Sequence, residues 1–275
     1  MNAFMIPCIP LVPGMSLPSM SFMIPFKTLT GKEQGDDARY DSEEDEAAQD
    51  ILYEVDILSR LPQHENIVRL FAVSAGFLVR PENGFIVLQH LVDTLHDRLA
   101  RWRRQPEQRR KQVQRIRQIA PGVAKAMTFL HQHRVIYRDL KPQNIGFDSE
   151  GNVQMFDFGL ARFYDGQRRL TGKTGSVRYM APEVARSQAY GFAADVHTFS
   201  ILMWEVATLH KAYAAAPNIT RLLKQVAHGK GRPSLDRIEC PGFRTLLAES
   251  WDADPFARPS FEQISQQLEL VLSRL

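Results

Sequence analysis

The chain has 275 residues, 44% of them hydrophobic and 24% charged, with 34 Lys and Arg against 31 Asp and Glu for a net charge of +3. That length can bury a substantial core in one large domain or in two lobes sharing a cleft, the composition is that of a globular protein, and the charge is too small to argue for nucleic-acid binding. Only Cys8 and Cys240 occur, which excludes a disulfide framework and a zinc-ligand cluster and fits a reducing, cytoplasmic compartment.

Residues 1–26 are rich in Met and Pro, and FMIP occurs at Phe4–Pro7 and again at Phe22–Pro25. Proline at this density blocks helices and confines strands to sheet edges, so an irregular or extended segment is expected. No Lys or Arg precedes Lys27, and Pro7, Pro10, Pro13, Pro18 and Pro25 break the apolar run, which argues against a signal peptide or membrane anchor. From Gly35 to Asp50 an acidic loop is expected to lead into a helix through Leu61, with Ile51, Leu52, Val55, Leu58 and Leu61 at helical spacing and Pro62 as its stop. Ile67–Val73 and Phe85–Leu88 read as strands joined by a turn around Pro81–Gly84.

Next comes a basic run of Arg98, Arg101, Arg103, Arg104, Arg109, Arg110, Lys111, Arg115 and Arg117, with Glu107 its sole acid. It is either a solvated helix face or a surface for an acidic or phosphorylated partner. Ile116–His133 has helical spacing that Pro121-Gly122 should kink or delay. Val196–Leu209 reads as a buried helix, too short and too polar at its edges to span a membrane. Asn218–His228, Gly242–Ser250 and Ser260–Leu275 complete a mostly helical second half.

The chemistry is concentrated in YRDLKPQN at Tyr137–Asn144, DFG at Asp157–Gly159 and APE at Ala181–Glu183. In this order and spacing the three strings resemble the catalytic segment of eukaryotic protein kinases. Phosphoryl transfer needs in-line positioning and positive charge more than covalent help. The resemblance implies Asp139 as catalytic base, Lys141 as support for the γ-phosphate, and Asn144 with Asp157 as magnesium ligands. It also implies that Arg138 holds a phosphorylated activation segment. Thr171 and Thr174 are the candidate phosphosites, and Arg162, Arg168, Arg169 and Lys173 the nearby cations. Ser176 falls where the family has a Ser or Thr touching the catalytic-loop Asp and Lys, which favours serine/threonine specificity.

Two further strings, DVHTFSILMWE at Asp195–Glu205 and WDADPFARPSF at Trp251–Phe261, are most similar to the tyrosine-kinase-like branch. They imply that Asp195 braces the catalytic loop and that Arg258 pairs with Glu183. In the N-terminal part, ILYEVDILSRLPQHENIVRL resembles the helix whose glutamate, here Glu54, pairs with a strand lysine. FIVLQHL resembles the strand entering the hinge, so Leu88 would guard the back of the ATP pocket and Gln89 to Leu91 would offer backbone groups to adenine.

The pattern also departs from the family. No G-x-G-x-x-G loop precedes Glu54, where the glycines are Gly14, Gly31 and Gly35. PFKTL nominates Lys27 as the strand lysine, with Lys32 as the alternative, and Pro25 two residues earlier restricts that strand to an edge. Tyr137 replaces a histidine, and Gly146 stands where an apolar side chain usually supports adenine. The implied fold is an α+β, bilobal kinase domain over residues 27–275. A shortened β-rich N-lobe with one main helix occupies 27–90, and a complete helical C-lobe occupies 91–275. The implied function is ATP- and Mg2+-dependent transfer to Ser or Thr of proteins; the alternative is a pseudokinase scaffold acting as a binding module.

Overall fold

The structure, a computed structural model, describes residues 21–25, 40–74, 85–105, 107, 111–229 and 231–274. Strand β1 (Ser21–Pro25) runs antiparallel to β3 (Phe85–Gln89), with Phe22 opposite Leu88 and Ile24 opposite Ile86. Part of the stretch expected to be irregular or extended is therefore a strand, at the sheet edge to which its prolines confine it. β3 is central and β2 (Leu70–Val73) flanks it, in the order β1-β3-β2. Ile86, Val87 and Leu88 are consecutively buried, as in a strand covered on both faces. Pro25 ends an edge strand, where a missing N–H is tolerated. The turn expected at Pro81–Gly84 lies outside the described residues.

Helix α1 (Tyr40–Arg60) takes in most of the acidic run that was expected to be a loop. Arg60 falls in its last turn, where the helix dipole favours a cation. Ile51, Val55 and Ile57 are buried. The loop after it is stitched to the lower half of the molecule: Val68 N–H donates to Met155 O at 2.9 Å and Met155 N–H to Asn66 O at 2.8 Å.

The second sheet, in the order β4-β6-β7, joins β4 (Asp93–Thr94), β6 (Ile145–Phe147) and β7 (Val153–Met155). Helix α2 (Leu95–Arg104) starts in a capping box between Thr94 and Asp97. Helix α3 (Gln112–Gln132) runs unbroken through Pro121, so the proline does not delay it. A Cβ on Gly122 would lie 2.8 Å from Val153 Cβ, so the glycine lets α3 seat directly on β7.

The basic run is mostly consumed by the fold. Arg98 binds both Asp93 oxygens at 3.0 and 3.2 Å and lies 3.2 Å over the Phe147 ring, while Arg101 also pairs with Asp93. Arg103 donates to Leu209 O at 2.8 Å, the buried Arg115 to Val206 O at 2.9 Å, and Arg117 to Leu272 O at 3.0 Å.

Two short strands, β5 (Val135–Ile136) and β8 (Arg162–Phe163), pair antiparallel beneath the cleft. A one-turn helix α4 (Pro182–Ala185) precedes α5 (Ala193–Thr208), which is buried at every position from Ala194 to Ala207. Helices α6 (Ile219–His228), α7 (Pro241–Ser250) and α8 (Phe261–Ser273) close the core, with Asn218 and Ser260 as side-chain N-caps of α6 and α8. Small sheets in the N-terminal region over a mostly helical remainder make an α+β, bilobal arrangement. No described helix is long and apolar enough to cross a membrane.

Candidate active site

The site is built on the loop between β5 and β6. Asp195, 1% exposed at the start of α5, accepts the backbone N–H groups of Tyr137 at 2.9 Å and Arg138 at 2.8 Å. His131 Nε2 shares the same carboxylate at 2.9 Å. Asp195 thus fixes the loop just before its chemistry begins, where Arg138 takes a positive φ of 69°. Tyr137 sends its hydroxyl to Phe156 O at 2.5 Å and packs edge-on against Phe158 at 5.3 Å.

The carboxylate of Asp139 is where four donors meet. Lys141 Nζ at 2.5 Å and Asn144 Nδ2 at 3.1 Å bind Oδ2; the Ser176 N–H at 3.1 Å and its Oγ at 3.0 Å bind Oδ1. Asn144 also donates to Asp139 O at 3.1 Å from a 3-10 turn over Pro142–Asn144. Ser176 arrives because Gly175, at φ 91°, lays its backbone on the catalytic loop: a Cβ there would sit 2.3 Å from Arg138 O. No L-residue fits that approach.

Asp157 enters the cleft at φ 63°. Although its surface is exposed, crowding by protein withdraws enough water to raise its pKa; nearby Lys141 opposes the shift and Asp139 adds to it. Glu54 Oε1 accepts the Phe158 N–H at 3.2 Å. Burial first, and the neighbouring Asp157 charge second, push the Glu54 carboxyl up to about 7. Lys27 and Lys32 lie outside the described residues.

Leu88 is buried in β3. The Gln89 N–H is committed to Arg69 O at 2.8 Å, so this donor is not available to a base. Leu91 covers Gly146: a Cβ at 146 would lie 2.5 Å from Leu91 Cδ1. The place where the family resemblance put an apolar side chain is here taken by Leu91.

Beyond DFG, Arg138 Nε donates to Leu160 O at 2.7 Å, and its Nη1 reaches Thr171 Oγ1 at 3.2 Å. Tyr190 OH holds Thr171 O at 2.6 Å. Of the two threonines, Thr171 is the one set directly against Arg138, and Thr174 bonds to Thr171 at 2.9–3.0 Å. Glu183 forms a buried two-pronged pair with Arg258, at 2.6 and 3.0 Å. Glu205, inside a quoted string but given no role, accepts Tyr179 OH at 3.0 Å and Ala212 N–H at 2.6 Å. Neither His131 nor Tyr190 stood out in the sequence, because neither belongs to a motif string.

A protein kinase domain model matches residues 36–268, and the chain belongs to the protein kinase family. It is 30% identical over 232 residues to the serine/threonine-protein kinase STY17 of Arabidopsis thaliana, covering 82% of this chain and 38% of that protein. It is 32% identical over 244 residues to the serine/threonine-protein kinase VIK of the same plant, covering 82% of this chain and 51% of that protein. It is 38% identical over 162 residues to the dual specificity protein kinase shkB of Dictyostelium discoideum, covering 56% and 24% respectively. The chain therefore spans from about a quarter to about half of the length of these relatives.

Proposed function

We propose that residues 27–275 form a protein kinase domain that transfers the γ-phosphoryl group of ATP to Ser or Thr hydroxyls of protein substrates. The observation that carries this reading is the convergence of Lys141, Asn144 and Ser176 on the Asp139 carboxylate within 2.5–3.1 Å. In the transfer the substrate hydroxyl oxygen bonds to the γ-phosphorus, the bond from that phosphorus to the bridging oxygen of ADP breaks, and the hydroxyl proton goes to Asp139.

The donor set fits magnesium. Among the described residues no group of three His, Cys, Asp or Glu side chains is placed to hold a metal, but Mg2+ prefers one or two protein oxygens plus phosphates and water. Asp157 supplies a carboxylate, and Asn144, its Nδ2 turned to Asp139, leaves Oδ1 as ligand atom. Bound Mg2+ supplies charge neutralisation on the transferring phosphate. Lys141 adds positive charge, Glu54 orients the phosphate-anchoring lysine (Lys27, with Lys32 as the alternative), and Leu88, Gln89 and Leu91 border the base.

A scaffold reading is favoured by one observation: among the described residues Glu54 accepts the Phe158 N–H and faces Asp157, a like charge that helps burial raise its carboxyl. An acidic or phosphorylated partner at Arg98–Arg117 would belong to that reading, with the exposed Arg104 and Lys111 left to meet it. Thermal melting of the full chain with millimolar Mg-ATP separates the two, because a ligand bound only by the folded state raises Tm. The kinase reading expects a rise, and labelled phosphate transfer to a basic protein that falls by about 10²–10⁴-fold in Asp139→Ala. No rise in Tm, or transfer surviving in Asp139→Ala, refutes it.

A further inference from the structure

Helix α1 turns one stripe of side chains toward β8 and the turn before it. Asp50, Tyr53, Glu54, Ile57 and Arg60 recur at helical spacing, so they lie along a single face. At one end, a Cβ on Gly159 would be 3.0 Å from Asp50 Cβ, so the helix presses on the DFG glycine. Along the middle, Glu54 takes the Phe158 N–H.

The remaining contacts form a crossed pair. The Arg162 guanidinium of β8 lies 3.4 Å over the Tyr53 ring of α1, and the Arg60 guanidinium of α1 lies 4.1 Å over the Phe163 ring of β8. Each element thus gives a cation and an aromatic ring to the other. Arg162 is further fixed by donating to Gly159 O at 2.5 Å and Ala161 O at 2.7 Å, with Asp50 at 4.0 Å. Its side chain is 26% exposed against 60% for Arg60. The Tyr53 pair is therefore the less hydrated and the stronger of the two.

β8 in turn pairs with β5, Arg162 opposite Ile136, one residue before Tyr137 and the catalytic loop. Contacts between α1 and β8 thus tie the helix that carries Glu54 to the strand pair that leads into the loop with Asp139.

We propose that Tyr53, Arg60, Arg162 and Phe163 are positioning residues: their crossed cation–aromatic pairs clamp α1 to β8 and so set the Glu54 carboxylate at the Phe158 N–H. The clamp works from the C-terminal side, through residues separate from the β1 sheet. Its kinetic consequence rests on the phosphoryl-transfer reading; its structural consequence does not.

The test uses the full chain with Tyr53→Leu and Tyr53→Phe, measuring hydrogen exchange at the Phe158 amide and, separately, kcat and KM for a protein substrate. A pair of this kind shifts an equilibrium by about two- to thirtyfold. In Tyr53→Leu the Phe158 amide should exchange about fivefold faster or more and kcat should fall by a similar factor, with KM for the protein substrate unchanged. Tyr53→Phe, which keeps the ring, should stay within about twofold of the native chain in both. If Tyr53→Leu does not fold, Phe163→Leu is read the same way. Native exchange and native kcat in Tyr53→Leu, or equal losses in Tyr53→Leu and Tyr53→Phe, would overturn the proposal. Should the native chain transfer no phosphate, the exchange measurement alone decides the clamp, and it is the kinase reading that fails.

Discussion

Glu54 holds its proton near neutrality because its carboxyl is crowded by protein and faces Asp157. The folded pKa of about 7 exceeds the ordinary carboxyl value of 4.5, so its contribution to stability is complete below about pH 4.5 and is lost as pH rises toward 7. Glu54→Gln, whose amide oxygen can still accept from Phe158, should therefore be more stable than the native chain at pH 8 by about 1–3 kcal/mol and nearly equal to it at pH 4. Urea unfolding at the two pH values measures this. At Gly146 the covering Leu91 leaves no room for a larger residue. Gly146→Leu should cost about 1–3 kcal/mol by overpacking, and Leu91→Ala in the same chain should recover part of it, as a double-mutant cycle on Tm would register. Contacts were legible where they sit in short strings: Ser176 meets Asp139, Asp195 holds the loop backbone and Arg258 pairs with Glu183, as their motifs imply. The filling of the Gly146 gap was not legible. It depends on how a side chain 55 positions earlier folds over the strand, which no local pattern encodes.

At the level of elements, α5 matters most because its first turn reaches the catalytic loop. Asp195→Ala would leave the Tyr137 and Arg138 N–H groups without their acceptor in a buried setting, at a cost of about 2–5 kcal/mol. The midpoint in urea should drop with an unchanged slope, and kcat should fall further than the folded fraction accounts for; a loss of stability with native kcat would count against the bracing role. Helix α5 was readable as buried from its predominantly apolar run with few charges, and α6 and α8 from their helical spacing. The start of α1 was not readable. Eight acidic residues between Gly35 and Asp50 resemble a solvated loop in composition, yet carboxylates are what a helix N-terminus favours. Strand β1 was not singled out because the surrounding prolines allow an edge strand and an irregular segment alike, and only the pairing with β3 decides between them.

On the scale of the whole molecule, the response to acid is set by opposing groups. His197 in α5 is 1% exposed, and burial together with the Arg258 and Arg232 charges holds its pKa well below the usual 6.5, a shift that a backbone hydrogen bond with Tyr179 opposes without cancelling. Its contribution to stability is present above pH 6.5 and is lost as pH falls, by about 1.4 kcal/mol per pH unit. Between pH 4.5 and 6.5 Glu54 has the opposite slope, so the two largely cancel. His197→Leu removes one side of the balance and should gain stability relative to the native chain steadily from pH 6.5 down to 4.5. A mutant-minus-native difference that does not change with pH would refute the assignment.

The seam at Gly175 and Ser176 has a kinetic consequence. The Ser176 N–H and hydroxyl both end on one oxygen of Asp139, and the preceding glycine leaves no slack against Arg138. Small excursions cannot shed these bonds one at a time. Amides on the two sides of the seam should exchange with solvent in a single cooperative opening, the signature of one folding unit shared by two stretches of chain 37 residues apart.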